Sequence, residues 1–371
     1  SVKQFFAGLY AHTDLEKEPH SGGRQMGGHF STRSVDNDGK WLDLVNRKNS
    51  SSDISCTAAQ MPRLIGLGLA SKIYRKNKNL KDFNKFSNNG NEVAFGTIGD
   101  ASTSEGIFWE SINAAAVLEI PIVMSVWDDG YGISVPKKYQ TTKESISDAL
   151  SGFEIEGNSN GIKIFKCNGW DYPSLFSTYK KAVNFTRDFH KPSLVHVEEI
   201  TQPQGHSTSG SHERYKSKDR LSWESEYDCI KQFKKWILSS SNAMNEPICN
   251  LETLETIEND AKIEVKTQSR LAWSEFLEPN KILLNECCSQ LEKMAKESSQ
   301  KNNILKNIKD LRSIKEPIKK DVFAKFRETL FLLRNEKNEY KTSALKWFKE
   351  QESVQYENYN STLYSEFITS S

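Results

Sequence analysis

The sequence predicts an α/β protein with a parallel sheet flanked by helices, followed by a helical C-terminal part. Short apolar runs alternate with helix-like segments over residues 1–230, and Gly-rich turns separate them. From about residue 218 onward the chain is rich in Lys, Glu, Leu, Ser and Asn and contains few Gly. Strands that alternate with helices predict parallel pairing through right-handed crossovers.

The expected strands are the apolar runs, and the expected helices lie between them. The strands are predicted at 92–98, 120–127, 162–168 and 193–200. The helices are predicted at 57–76, 103–118 and 172–190. The opening residues SVKQFFAGLYAHTD also have a helical pattern, and we expect further residues upstream because the chain opens inside it without Met.

The C-terminal part is expected to consist of amphipathic helices. They are predicted at 218–240, 251–298, 302–315 and 318–351, with a break at Pro317 and a loop at 239–247. The tail from residue 353 is expected to be weakly structured at best. We therefore predict an α/β domain over 1–240 and a helical extension over 241–371.

Composition excludes several classes of partner. Lys and Arg number 50 against 49 Asp and Glu, which gives no strong field to attract nucleic acid or an acidic membrane. No apolar run approaches the length of a membrane span. The six cysteines form no CxxC pair and no zinc spacing, so we expect a reduced, cytoplasmic compartment.

Acidic residues follow two neighbouring predicted strands. Asp100 comes after the strand at 92–98, and Asp128 and Asp129 follow the strand at 120–127. Ser102 and Glu105 have the spacing of a capping box, which predicts that a helix begins at Ser102. The carboxyl edge of a parallel sheet beside a helix N-terminus is where anions and cofactors bind in such folds.

A carboxylate can lie beside a phosphate only if a divalent metal separates them. Magnesium prefers oxygen ligands, often one or two carboxylates with phosphate oxygens. Asp100 and Asp129 could supply two oxygens, and the backbone carbonyl of Tyr131 a third. The alternative is that these acids are ordinary turn and cap residues, because DDG is good turn chemistry. Both interpretations stay open from the residues alone.

The stretch GTIGDASTSEGIFWESINAAAVLEIPIVMSVWDDGYGIS resembles the thiamine-diphosphate signature of the 2-oxoacid dehydrogenases, in the alpha type of their decarboxylating first component. The resemblance implies a thiamine-diphosphate-binding fold, with magnesium held by Asp100, Asp129 and Tyr131. Its cofactor-binding positions fall on Gly99, Asp100, Ala101, Ser102, Asp129, Tyr131 and Ile133. The departures are Ala101 for a Gly, Asp128-Asp129 for Asn-Asn, and Trp127 where branched-chain members carry an Arg.

Two further motifs support the resemblance, and a third stretch falls where relatives bind the cofactor. SGGRQMGGHF at 21–30 resembles a GRQMPVHY stretch of branched-chain enzymes, which makes His29 a second-rank catalytic candidate. GHSTSGSHERYKS at 205–217 resembles the active-site loop whose His lies beside the cofactor. His206 matches that His as a catalytic and cofactor-binding residue, and Ser207 matches a Ser that is phosphorylated in some relatives. SDISCTAAQMP occupies the place where relatives bind the aminopyrimidine of the cofactor, which makes Ser55 and Thr57 candidates for lining the cofactor pocket.

The resemblance implies oxidative decarboxylation of a branched-chain 2-oxo acid, with acyl transfer to a lipoyl-bearing acyltransferase in a multienzyme complex. A beta half or subunit would complete the site, and the segment SIKEPIKKDVFAKFRETLFLLR looks like the linker of forms that fuse both halves. The alternatives are the alpha component of a pyruvate or acetoin dehydrogenase, and a catalytically silent scaffold of the same fold.

Overall fold

The computed structural model describes residues 1–24, 34–36, 38–47, 49–51, 54, 56–203, 205–206, 212–242 and 244–360. The predicted positions His29, Ser55 and Ser207 lie outside the described residues. The chain divides into two compact units, one made of Ser1–Lys40 with Glu258–Ser371 and the other of Trp41–Ile257. The predicted site residues that the structure describes all belong to the second of these units.

The order of helices and strands matches the predicted alternation. The helices are α1 Val2–Leu9, α2 Gln60–Lys76, α3 Gly106–Leu118, α4 Ile146–Ala149, α5 Tyr172–Phe189, α6 Lys218–Glu226, α7 Cys229–Ser239, α8 Leu251–Ala295, α9 Lys301–Ser313, α10 Lys319–Leu332 and α11 Glu339–Tyr359. The strands are β1 Ala94–Gly99, β2 Ile122–Trp127, β3 Tyr131–Gly132, β4 Val135–Pro136, β5 Lys163–Asn168 and β6 Ser193–Glu198.

The main sheet has the strand order β1-β2-β6-β5, and its neighbouring strands are parallel. The α/β class with a parallel sheet and a helical C-terminal part is therefore confirmed. In the register of β1 and β2, Gly99 lies opposite Trp127, so both strands end at the same edge. The segments that follow β1 and β2 start side by side as a result.

Helices cover both faces of the sheet because β2 is apolar on both sides. Ile122, Met124 and Val126 pack in one buried cluster with side chains of α2 and α3. The alternate residue Val123 packs in a second cluster with Ala182 of α5. This alternation follows from the two-residue period of a strand, and it explains why β2 reads as a continuous apolar run.

The predicted start of α3 at Ser102 is wrong. Residues Ala101–Ser104 form a 3₁₀ turn, and Glu105 adopts an extended conformation before α3 begins at Gly106. The hydroxyl of Thr103 donates to the carbonyl of Asp100, and this local hydrogen bond stabilises the turn. Glu105 itself makes no side-chain cap, and the capping box expected from its spacing with Ser102 is absent.

Two predicted C-terminal helices are each divided in the structure. The segment 218–240 breaks before Cys229, where the Asp228 side chain accepts a hydrogen bond from the Lys231 amide and caps α7. The segment 318–351 breaks between α10 and α11, where Asn338 caps the second helix. In both cases a short polar side chain caps the N-terminus of a new helix, inside a stretch whose apolar pattern looks like one continuous helix.

The expectation of a weakly structured tail from residue 353 is wrong as far as Tyr359, where α11 ends. Within the same unit, the Tyr359 hydroxyl donates to the carbonyl of Ala11 at 3.1 Å. Arg24 donates through Nε to the carbonyl of Asn360 at 2.7 Å. A cationic donor at a helix C-terminus satisfies a carbonyl that the helix leaves unpaired, which stabilises the last turns of α11.

Among the described residues, no helix has both the length and the apolar character needed to cross a membrane.

Candidate active site

Three carboxylates meet where β1 and β2 end. The Asp100 amide donates to the carbonyl of Trp127 at 3.0 Å, which extends the strand pairing by one bond. Asp100, Asp128 and Asp129 are only 4%, 2% and 6% exposed. Burial of like charges is costly unless each is paired or coordinates a metal, so the partners of each carboxylate decide what the site can do.

Asp128 is fully paired within the protein. Its Oδ2 accepts hydrogen bonds from Lys137 Nζ at 2.8 Å and His196 Nε2 at 3.0 Å, and its Oδ1 accepts one from the Gly130 amide at 2.8 Å. The hydroxyl of Ser147 lies 2.8 Å from His196 Nδ1 and fixes that ring.

These partners keep the Asp128 carboxylate ionised. Burial alone would raise the pKa of Asp128, but the hydrogen bonds from His196 and Lys137 outweigh burial and lower this pKa below its ordinary value. The Lys137 ammonium balances the charge that Asp128 adds where the resemblance has Asn. Asp128 therefore holds the turn that follows β2 in place, and both of its oxygens already have partners within the protein.

Asp129 contacts the predicted catalytic histidine. His206 Nε2 donates to Asp129 Oδ2 at 2.6 Å, although the two residues are 77 positions apart in the chain. The Tyr131 amide donates to Asp129 Oδ1 at 3.2 Å, and Arg220 Nη2 donates to the Asp129 carbonyl at 2.8 Å. The structure thus brings together two of the residues that the sequence singled out independently.

Asp100 differs from the other two carboxylates at one of its oxygens. Among the residues that the structure describes, none donates a hydrogen bond to its buried Oδ2. Burial, followed by the nearby charges of Asp128 and Asp129, raises the pKa of Asp100 to about 7. An unpartnered buried oxygen beside other carboxylates is the environment that a bound divalent cation would stabilise.

We expect Asp100 to lower the stability of the metal-free protein as the pH rises from about 4 to about 7, because folded Asp100 holds its proton to a pKa of about 7 instead of 3.8. Asp100→Asn should abolish this dependence and stabilise the metal-free protein at pH 8, by a few kcal/mol at about 1.4 kcal/mol per pKa unit. Urea unfolding of both proteins at pH 5 and pH 8, with a chelator present, measures it. Equal pH dependence in the two proteins would contradict this assignment.

The predicted metal set contains only two carboxylates and one carbonyl. In the part of the chain that the structure describes, no three His, Cys, Asp or Glu side chains group in a way that could hold a metal ion by themselves. A magnesium ion bound here by Asp100, Asp129 and the Tyr131 carbonyl would take its other ligands from a bound phosphate or from water.

The hairpin β3–β4 forms the other wall of the site. A Cβ added to Gly132 would lie 2.9 Å from Cβ of Ala101 and 2.2 Å from Gln140 Nε2. The methyl group of Ala101 therefore fits because Gly132 lacks a side chain opposite it. Ile133 is 64% exposed and has a φ of 58°, which is unfavourable for a β-branched residue. Such strain is concentrated at functional sites.

The remaining predicted residues are less closely tied to the carboxylates. Gly99 ends β1, and a Cβ added there would approach nothing closer than Ser102 Oγ at 3.9 Å. Thr57 is exposed and precedes α2. Trp127 donates through Nε1 to Ser125 Oγ at 2.9 Å. Its ring lines an apolar groove of about 700 Å³ beside α5.

Sequence reasoning missed a buried charge cluster behind the site. Lys216 Nζ contacts both carboxylate oxygens of Glu224 at 2.8 Å, and the two side chains are 0% and 2% exposed. Arg220 Nε donates to the same carboxylate at 2.8 Å. The spacing of Arg220 and Glu224 on a helix indicates an ion pair, but nothing in the sequence indicates that the pair is buried.

Comparison with known proteins gives a consistent result. The family model described as "Dehydrogenase E1 component" matches residues 1–276. The chain is 28% identical over 223 residues to 2-oxoisovalerate dehydrogenase subunit alpha 1, mitochondrial, of Arabidopsis thaliana, covering 60% of this chain and 40% of the relative. It is 30% identical over 178 residues to 2-oxoisovalerate dehydrogenase subunit alpha of Bacillus subtilis, covering 48% and 44%.

A third relative is named for a different substrate. The chain is 27% identical over 194 residues to the pyruvate dehydrogenase E1 component subunit alpha of Rickettsia bellii, covering 52% of each. The aligned region thus spans about half or less of the length of these relatives.

Proposed function

Because the chain belongs to the dehydrogenase E1 component family, we propose that it is the alpha part of a 2-oxoacid dehydrogenase that uses thiamine diphosphate and magnesium. The observation that carries this proposal is the pair of strand-end carboxylates Asp100 and Asp129. Asp100 has a buried oxygen to which no described residue donates a hydrogen bond, and Asp129 contacts His206. This arrangement combines a place for a cation with a group that can transfer a proton.

The residues present fit the cofactor. Asp100, Asp129 and the Tyr131 carbonyl would hold magnesium, which commonly binds through one or two carboxylates and phosphate oxygens. Gly99, Ala101 and Ser102 would contact the diphosphate, and Ile133 at the exposed edge would contact the organic part of the cofactor. Asp128 would not bind the metal, because Lys137, His196 and Gly130 already occupy its oxygens.

When bound, thiamine diphosphate would supply the carbon nucleophile and the electron sink that decarboxylation needs. The chain's own residues would bind and orient the reactants. His206 would hold or move a proton at its Nε2, the atom that contacts Asp129 at 2.6 Å. The Lys137 ammonium, 2.8 Å from Asp128, would limit the negative charge that a diphosphate meets.

The substrate class we favour is a branched-chain 2-oxo acid. The support is the GRQM motif at 23–26 and the names of the Arabidopsis and Bacillus relatives. The second candidate is pyruvate or acetoin, because relatives with those names are 27% and 29% identical to the chain. Both candidates need a beta part to complete the site and a lipoyl-bearing acyltransferase to accept the acyl group.

Calorimetric titration with thiamine diphosphate and Mg²⁺, on the chain alone and with its beta part, tests the proposal. We expect binding with the beta part present and loss of binding when Mg²⁺ is chelated. Decarboxylation of 2-oxoisovalerate should then exceed that of pyruvate at equal concentration. Absence of binding under either condition would reject the proposal in favour of a catalytically silent scaffold.

A further inference from the structure

The buried cluster of Lys216, Arg220 and Glu224 has no part in the chemistry proposed above. Two cations each lie within hydrogen-bond distance of the one carboxylate of Glu224, and the Lys216 and Glu224 side chains are almost fully buried. Burying such charges costs free energy that their attraction does not always repay. The cluster is therefore poorly explained by stability alone, and its contacts with other segments become informative.

Those contacts connect two segments of the site, the turn after β2 and the loop that carries His206. Arg220 on α6 donates through Nη2 to the backbone carbonyl of Asp129 at 2.8 Å. Lys216 donates to the backbone carbonyl of Gln202 at 3.2 Å, four residues before His206. Glu224 lies between the two cations and accepts hydrogen bonds from both. One carboxylate thus links the turn after β2 to the loop that carries His206.

Arg220 lies directly behind the Asp129–Tyr131 turn. Its guanidinium carbon is 5.5 Å from the centre of the Tyr131 ring. A Cβ added to Gly130, which has a φ of 82°, would lie 4.0 Å from Arg220 Nη2. The planar guanidinium bonds the Glu224 carboxylate through Nε and the Asp129 carbonyl through Nη2 at the same time.

We propose that Arg220 is a positioning residue that, through Glu224 and Lys216, fixes the Asp129–Tyr131 turn relative to the loop of His206. Its consequence for metal binding rests on the proposed function. The direct effect on the turn does not, because it is a property of the protein without cofactor. The two can therefore be tested separately.

The first measurement is amide hydrogen exchange of the metal-free protein. In Arg220→Gln we expect exchange at the amides of Tyr131 and Gly205 to become faster by on the order of tenfold, since a charge-assisted bond to the turn is lost. The amide of Val123 in β2 should be unchanged. Arg312→Gln, which removes an exposed ion pair with Glu292, is the matched control and should alter none of these amides.

The second measurement is the affinity for Mn²⁺ in the presence of thiamine diphosphate, followed by electron paramagnetic resonance with the beta part present. Arg220→Gln should weaken it by about 10-fold, and Arg220→Lys should recover part of the loss. Unchanged exchange at Tyr131 and Gly205 would overturn the inference. Faster exchange, combined with no Mn²⁺ binding by the unmodified protein, would support the inference and reject the proposed function.

Discussion

Replacement of Asp129 by Ala is expected to weaken the binding of thiamine diphosphate with Mg²⁺ by about 100-fold or more. Mutation of a residue that only supports a metal ligand typically costs about 10–100-fold in affinity, so removal of a ligand should cost at least as much. The carboxylate is 6% exposed and contacts His206, so the substitution also removes a contact of the loop that carries His206. Calorimetry at saturating Mg²⁺ with the beta part present measures the change.

The variant Asp129→Asn keeps a side-chain oxygen but removes the negative charge, so it distinguishes the contributions of the two to metal binding. An amide oxygen can still bind magnesium, and the resemblance has Asn at this position, so we expect affinity within about 10-fold of the unmodified protein. Glu154→Ala, which removes an exposed pair with Lys163, is the control and should leave the affinity unchanged. Retention of full affinity by Asp129→Ala would remove Asp129 from the metal site.

The sequence predicts the sheet and the strand ends because their signals are local. The runs that became β1 and β2 are apolar, and β2 is buried on both faces. The closeness of Asp100 and Asp129 can then be predicted, because adjacent parallel strands end at the same edge of the sheet. Their convergence is observed in the structure, and their role in cofactor binding stays a proposal.

The start of α3 and the partners of the carboxylates depend on tertiary contacts that spacing does not encode. Ser102 and Glu105 have capping-box spacing, but the strand pairing of Asp100 with Trp127 places the following residues in a 3₁₀ turn. The contact of His206 with Asp129 spans 77 positions. Local propensity predicts neither the start of α3 nor the contact of His206 with Asp129, because tertiary context overrides local preference.

Glu224→Gln is expected to destabilise the unit Trp41–Ile257 by about 3 kcal/mol, because breaking a buried ion pair leaves uncompensated buried charge. Lys216 is 0% exposed, and its ammonium would keep only neutral oxygens as partners. Urea unfolding at pH 7.5, followed by hydrogen exchange of β2 amides, measures the loss in that unit. Glu154→Gln disrupts an exposed pair and should change stability by about 0.5 kcal/mol or less.

The triple variant Lys216→Met, Arg220→Met, Glu224→Leu separates stability from positioning. Replacing a whole buried charge cluster with apolar residues of similar size is often neutral or stabilising, so unfolding should return close to that of the unmodified protein. The Asp129 carbonyl would still lack the hydrogen bond that Arg220 donates to it at 2.8 Å in the unmodified protein. Exchange at Tyr131 should therefore stay fast and Mn²⁺ binding weak. If the triple variant instead restored both, the cluster would act only through stability, and the coupling of the Asp129 turn to the His206 loop would need another cause.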